Sequence, residues 1–373
     1  MAALKRAASG PVRFAGIGGE RMAAEGLESI FPLSDLSVMG VAEVVPHLGR
    51  LLRRISETVD AIERARPDVI VSIDAPAFCF RVLKRLRGLP AKKVHFVAPT
   101  VWAWRPWRAR RIAPLVDNLM VLLPFEPPYF EAVGLPASFV GHPVLENDID
   151  AADGSRFRQE HGMEPDIPLL CLLPGSRRSE IRYLLPPFKE AVHILKGMVP
   201  GLQVVVPTLA NLAPTLSVEF RDWPAPVTIV EGEQGKFSAM AAADVALAAS
   251  GTVALELALM GVPNVIAYRM HPLTAAIVRR LIRVRYANLV NLLLDREAVP
   301  EFIQADCRGE LLGEAVGKLL SDRQAADAQR TAMREAMSLL SPGAETPSDK
   351  AAQTILNLVS DGQPAARPDV KTI

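Results

Sequence analysis

Cysteine is scarce and scattered in this 373-residue chain: Cys79, Cys171 and Cys307 are odd in number and far apart. They make neither a disulfide framework nor a metal cluster, and they fit a reduced, cytoplasmic setting. The six histidines stand alone, without His-x-x-x-His or Cys/His spacing, so no metal site is expected. No apolar run reaches the roughly 18 residues of a membrane span. The most apolar stretch, Phe237 to Ala249, is broken by Asp244. The opening "MAALKRAASG" has basic residues but no apolar core behind them, so no export signal is expected. An excess of one charge is missing too: 42 Lys and Arg against 41 Asp and Glu leave +1. That excludes a polyelectrolyte role such as coating nucleic acid, and any basic function must be local.

What is present is a strand–turn–helix alternation. Apolar, β-rich runs are "VRFAG" (12–16), "VIVSI" (69–73), "KVHFV" (93–97), "NLMVLL" (118–123), "PLLCLL" (168–173), "LQVVVP" (202–207), "PVTIV" (226–230), "DVALAAS" (244–250) and "PNVIAY" (263–268). Most are continuously apolar, as strands buried on both faces of a parallel sheet are. The clearest helix runs from Pro46 to Arg66, with Leu48, Leu51, Leu52, Ile55, Val59 and Ile62 on one stripe. The pattern predicts an α/β protein of two domains. Residues 1–145 form the first and 168–340 the second, across a polar junction at 146–167. A C-terminal helix at 341–360 and a disordered tail at 361–373 follow.

Three turns carry candidate chemistry. In "LLPGSRRSEI" an apolar strand ends in Pro174, Gly175 and Ser176 before a helix. Backbone N–H groups at such a start bind anions, and the Arg177 guanidinium suits a phosphate. An ordinary strand-to-helix turn is the alternative. In "AASGTVALELALMG" a second strand runs into Ser250, Gly251 and Thr252, with Thr252 as N-cap and Glu256 one turn on. A carboxylate there suits a sugar diol better than a phosphate; plain helix capping is the alternative. Parallel sheets bind ligands at the carboxyl ends of their strands, which favours both turns. In "VIVSIDAPAF" Asp74 ends a strand and fits a general base towards a sugar hydroxyl, or an Asx-turn. Weaker signals are His142 in "VGHPV", read as a loop histidine, and "DID" (148–150), read as solvated linker. "GIGG" (16–19) lacks the third glycine of a dinucleotide fingerprint.

With these turns in view, the chain resembles the lipid-A-disaccharide synthase family from about Val12 to Leu358. The blocks are "GIGGERMAAEGL", "LSVMGVAEVVPHL", "SIDAPAF", "VAPTVWAWRPWR", "VGHPV", "LLPGSR", "ASGTVALE", "VIAYRM" and "VPEFIQ", in that order. The resemblance implies a GT-B-like fold, two doubly wound α/β domains facing a central cleft, with C-terminal helices. It implies an inverting hexosyltransferase that joins UDP-2,3-diacylglucosamine to 2,3-diacylglucosamine 1-phosphate, releasing UDP, with no cofactor or metal. Asp74 matches the family's aspartate, and Arg177 its Pro-Gly-Ser-Arg arginine. Ser250, Gly251, Thr252 and Glu256 match its donor block, Asn291 its Pro-Asn asparagine, and Gln304 its "PEFIQ" block. Ala77 replaces a second aspartate, and Val290 a proline. The alternatives are another UDP-N-acetylglucosamine-dependent transferase or epimerase of this fold, or a non-enzymatic two-domain ligand-binding protein.

The segment "VWAWRPWRARRI" (101–112) holds three of the four tryptophans. Against an amphiphilic anionic acceptor, Trp102, Trp104, Arg105, Arg108, Arg110 and Arg111 are expected to meet acceptor and membrane surface, with a helix over Trp107 to Val116; a purely structural role for Trp102 and Trp104 is the alternative. The implied location is the cytoplasmic face of the inner membrane, peripherally, without nucleic acid and compatibly with a homo-oligomer. The family's earlier strand, ending in a Gly-Glu-x-Ser-Gly-Asp turn, has no counterpart before "VRFAG". The reading is a start at an internal methionine, from which poor folding of the first half and little activity are expected.

Overall fold

The computed structural model describes residues 1–36 and 48–360. Pro46, most of the "LSVMGVAEVVPHL" block and the 361–373 tail lie outside the described residues. The chain divides into two compact units: unit 1 takes Met1–Pro143 and the stretch from Ser341 onward, and unit 2 takes Val144–Leu340.

Unit 1 holds a parallel sheet in simple sequence order, β1 (Val69–Ile73), β2 (Lys92–Phe96), β3 (Asn118–Val121) and β4 (Ala137–Phe139). Helices Leu48–Ala65 and Pro76–Arg85 cover one face, and Ile55, Val59, Val82 and Leu83 join Leu119 and Phe130 in its core. The other face packs Val94 and Met120 against Ile355 of helix Pro347–Ser360. The C-terminal helix thus belongs to unit 1, where Asp349 also pairs with Arg6 of helix Ala2–Ala7 at 2.7 Å. The run 12–16 forms no strand; Gly16 makes only an isolated bridge to Ser29. The "GIGG" turn therefore lacks the preceding strand that a dinucleotide fingerprint needs.

Unit 2 is built on a six-stranded parallel sheet. Its strands are β5 (Leu169–Leu173), β6 (Gln203–Thr208), β7 (Val227–Glu231), β8 (Val245–Ala249), β9 (Asn264–Tyr268) and β10 (Glu301–Ile303). Their order is β10-β9-β8-β5-β6-β7. The middle strands β5 and β8 are buried at every residue, which is why their sequence shows apolar runs and no alternation. The polar stretch after residue 146 contains a short helix, Gly154–Glu160, opened by the Asp153 carboxylate accepting from Arg156 N–H at 2.9 Å. Its buried Arg158 donates to Asp244 and to the Ala242 and Ile167 carbonyls. β4 and β10, each three residues and half-buried, escape a reading based on long apolar runs. No helix among the described residues is long and apolar enough to cross a membrane.

Candidate active site

The strand order of unit 2 reverses between β5 and β8. Ligands of doubly wound sheets bind at that reversal, outside the carboxyl ends of the strands. Both turns singled out above fall there: Pro174–Arg177 follows β5 and Ser250–Thr252 follows β8, with Leu173 and Ala248 in register. Gly175 has φ +105°, and a Cβ on it would sit 2.5 Å from a Glu180 carboxylate oxygen, so only glycine fits. Glu180 closes the start of helix Arg178–Met198. One of its oxygens accepts from the Ser176 and Arg177 N–H groups at 3.3 Å, and the other takes Arg177 Nη1 at 2.8 Å. Ser176 and Arg177 remain exposed. The site thus offers two amides and a guanidinium, gathered on a carboxylate of its own helix. Tyr268, ending β9, lies in the same field; burial first, then Glu180, raise its phenol above the usual value. Position at a strand's carboxyl end is the signal by which sequence reading reaches it.

At the second turn, Thr252 stands at the N-cap of helix Val253–Met260, but its backbone is helical and its hydroxyl makes no capping bond. That corrects the expected cap. Ser250 Oγ donates to the Ala287 carbonyl at 3.0 Å, and Gly251 is exposed. Glu256 faces Lys236 of helix Glu233–Ala242, with Nζ–Oε1 at 2.8 Å. Its other oxygen has no protein partner among the described residues. Asn291 is fully buried. Its Nδ2 donates to the Val299 carbonyl and to Glu301, and its Oδ1 accepts from Ala298 and Val299 N–H. With both amide atoms bonded within the protein, Asn291 shapes this loop. Glu301 carries the loop further, accepting from Ala287 and Asn288 N–H at 2.7 and 3.0 Å. Gln304 pairs its amide with the main chain of Met270, accepting at 3.2 Å and donating at 3.3 Å.

In unit 1, Asp74 follows β1 at the sheet's carboxyl end, and its N–H donates to the Phe96 carbonyl at 2.9 Å. Asp74 and Ala75 are both left-handed, at φ +46° and +42°. Two such non-glycine residues in succession are a strain that surrounding structure must hold. The Asp74 carboxylate is exposed, and among the described residues no hydrogen bond or ion pair engages it. It is therefore a carboxylate positioned by its backbone and open to an incoming group. Helix Pro76–Arg85 begins directly behind it.

The tryptophan segment breaks into two short helices, Val101–Trp104 and Arg108–Ile112. Trp102 is buried and donates Nε1–H to Glu126 Oε1 at 3.0 Å, and its ring meets Phe125 edge-on. Trp102 is thus a core residue of unit 1, which corrects its assignment to the surface. Glu126, missed in the sequence, also accepts the Leu122 and Leu123 N–H groups; burial raises its carboxyl above the usual range. The surface aromatic is Trp107, 51% exposed, with Arg111 4.7 Å from its ring centre. Arg105 lies over Trp104 at 3.9 Å. Burial, then Arg105, lower the Arg108 guanidinium, whereas Arg110 and Arg111 are exposed. No group of three or more potential metal-binding side chains occurs among the described residues.

Two α/β units, each on a parallel sheet, fit the fold of a class, the GT-B glycosyltransferases and epimerases; the expected double winding is present in unit 2, whereas the described strands of unit 1 run in simple sequence order. Solved structures of similar fold include the S. aureus MnaA–UDP co-structure, with TM-score 0.57, 14% identity and coverage of 93% of this chain and 95% of that one. UDP-GlcNAc 2-epimerase from Neisseria meningitidis bound to UDP-GlcNAc is similar at TM-score 0.58, 12% identity and 91% and 87% coverage. Acinetobacter baumannii MurG is similar at TM-score 0.52, 14% identity and 93% and 98% coverage. The chain belongs to the lipid-A-disaccharide synthetase family, whose model matches residues 2–355. Lipid-A-disaccharide synthase of Rhodospirillum centenum is 53% identical over 362 residues, 96% of this chain and 90% of the relative. That of Paramagnetospirillum magneticum is 45% identical over 367 residues, 97% and 94%.

Proposed function

We propose that this chain transfers the 2,3-diacylglucosaminyl unit of UDP-2,3-diacylglucosamine to the 6-hydroxyl of 2,3-diacylglucosamine 1-phosphate, with inversion at the anomeric carbon. As a member of its family it is a glycosyltransferase of lipid A disaccharide synthesis. Asp74 takes the proton of the acceptor 6-hydroxyl while that hydroxyl's oxygen bonds to the anomeric carbon. The bond from that carbon to the UDP oxygen breaks, and UDP leaves with the electron pair. In unit 2 the Ser176 and Arg177 amides and the Arg177 guanidinium receive the pyrophosphate. Ser250, Gly251 and Thr252 line the second turn, and the free oxygen of Glu256 accepts from the ribose hydroxyls. Asn291 and Gln304 hold the loops beside them. Trp104, Trp107, Arg105, Arg108, Arg110 and Arg111 meet the acceptor phosphate and the anionic surface of the cytoplasmic leaflet.

The observation that carries the reaction is Asp74, an unengaged carboxylate fixed at a strained turn after β1. Incubation with both diacylated substrates, read by mass spectrometry, should give the disaccharide 1-phosphate and UDP. Asp74→Asn should lower turnover by about two to four orders of magnitude with UDP affinity kept. Turnover within a few-fold of the parent removes Asp74 as the base. Chelator should leave the rate unchanged.

A further inference from the structure

From Arg269 to Tyr286 the chain reads RMHPLTAAIVRRLIRVRY, with five arginines and no acidic residue, in a protein whose net charge is +1. Its centre is helix Pro272–Leu281. Leu273, Leu281 and Ile282 are 72%, 37% and 47% exposed, and Arg279, Arg280, Arg283 and Arg285 are exposed among them. Among the described residues none of these arginines is ion-paired; Arg285 lies over the Tyr286 ring at 5.2 Å.

Both ends of this segment are tied to β10. Gln304, just past β10, grips the Met270 main chain, and Glu301, its first residue, accepts the Ala287 and Asn288 N–H groups. The segment is therefore a helix held at its two roots, with a basic and aliphatic middle turned to solvent. A surface for water alone intersperses carboxylates among its cations and keeps large aliphatics few. A nucleic-acid surface also gathers arginines, but it gains from aromatic stacking and not from exposed leucine and isoleucine. An anionic bilayer satisfies both features at once, with aliphatic side chains entering the headgroup boundary and guanidiniums meeting lipid phosphates.

We propose that Arg269–Tyr286 is a membrane-surface element of unit 2. Leu273, Leu281 and Ile282 insert into the interface of an anionic phospholipid bilayer, and Arg279, Arg280 and Arg283 bind its phosphates. The proposal rests on the exposure and charge of this segment and stands or falls apart from the substrate assignment.

The full chain is tested by co-sedimentation with phosphatidylglycerol–phosphatidylcholine vesicles, with phosphatidylcholine vesicles, and with a double-stranded DNA oligonucleotide. Joint replacement Leu273→Asn, Leu281→Asn and Ile282→Asn should lower partition onto anionic vesicles at least about tenfold. Joint replacement Arg279→Gln, Arg280→Gln and Arg283→Gln should do the same and flatten the salt dependence. UDP affinity should be unchanged in both, which reports that unit 2 is folded. Leu273→Trp gives a reading that does not depend on loss of binding: its emission, as a difference from the parent, should shift to the blue with anionic vesicles and be quenched by brominated lipid. Parent-like partition of both triple variants overturns the proposal, as does an unshifted difference emission. DNA binding as tight as vesicle binding, lost only with the arginines, overturns it in favour of a nucleic-acid face.

Discussion

Trp102 and Trp107, five positions apart, have opposite surroundings, one buried and one exposed. The Trp102 indole satisfies one oxygen of buried Glu126 while two backbone amides satisfy the other. Trp102→Phe leaves that oxygen without its donor, and an unsatisfied buried acceptor costs about 1–3 kcal/mol. Thermal unfolding of unit 1 should move down accordingly, with vesicle binding per folded molecule unchanged. Trp107→Ala should behave in reverse. An exposed side chain away from the core changes stability by about 0.5 kcal/mol or less, while partition onto anionic vesicles should fall several-fold. Equal effects of the two substitutions on vesicle binding would remove the distinction. Nothing in the string "VWAWRPW" separates these tryptophans. Their difference is set by Glu126, 24 positions from Trp102, and no local pattern announces that partner.

At the scale of an element, the start of helix Arg178–Met198 binds its own carboxylate. Glu180 accepts the same amides, and holds the same guanidinium, that a pyrophosphate would take. Phosphate binding there must displace or share that carboxylate. Glu180→Gln keeps a side chain able to complete the capping box and removes the negative charge. UDP affinity measured by calorimetry should rise by about two- to fivefold, in keeping with the roughly 0.3–1 kcal/mol of a charge near a helix end. Arg177→Ala should weaken UDP by the about 1.5–3 kcal/mol of a charged hydrogen bond. A Glu180→Gln protein that binds UDP more weakly would make Glu180 a support of the site and not its competitor. The strand-to-helix turn at Pro174–Arg177 was readable in the sequence. The convergence of Glu180 on Arg177 was not, because it depends on the left-handed Gly175 that brings the turn back over the helix.

At the scale of the molecule, two histidines make unit 1 sensitive to acid. His95 and His142 are both buried, and burial holds each at about 4, against an ordinary value of 6.5. Below pH 6.5 the unfolded chain binds protons that the folded unit refuses. Stability is therefore complete above about 6.5 and falls as pH drops towards 4. The loss is on the order of 3 kcal/mol for each histidine at the acid end, against a typical domain stability of about 5–15 kcal/mol. Glu126, with its carboxyl raised by burial, works in the opposite sense above the ordinary glutamate value and offsets part of it. In unit 2 the cysteines Cys171 and Cys307 and the phenol of Tyr268 are shifted upward, so their titration lies on the alkaline side. Amide exchange between pH 7 and 4.5 should show unit 1 losing protection before unit 2. Simultaneous loss would disprove the assignment to these histidines.

The sequence alone determined the alternation of strand and helix, the polar stretch after residue 146, and the turns at Asp74, Pro174–Arg177 and Ser250–Thr252. These follow from local physics: continuous apolar runs mark strands buried on both faces, and glycine, proline and hydroxyl residues mark where the chain must turn. Only the tertiary structure decided that β5 and β8 are neighbours, so that two turns some 75 positions apart lie at one switch point. It also decided that helix Pro347–Ser360 packs in unit 1, that Asn291 is buried and Trp107 is not, and that the run 12–16 has no strand partner beyond one bridge. Each of these turns on which distant backbone supplies a hydrogen bond or covers a side chain. A residue's own neighbours in sequence do not carry that information.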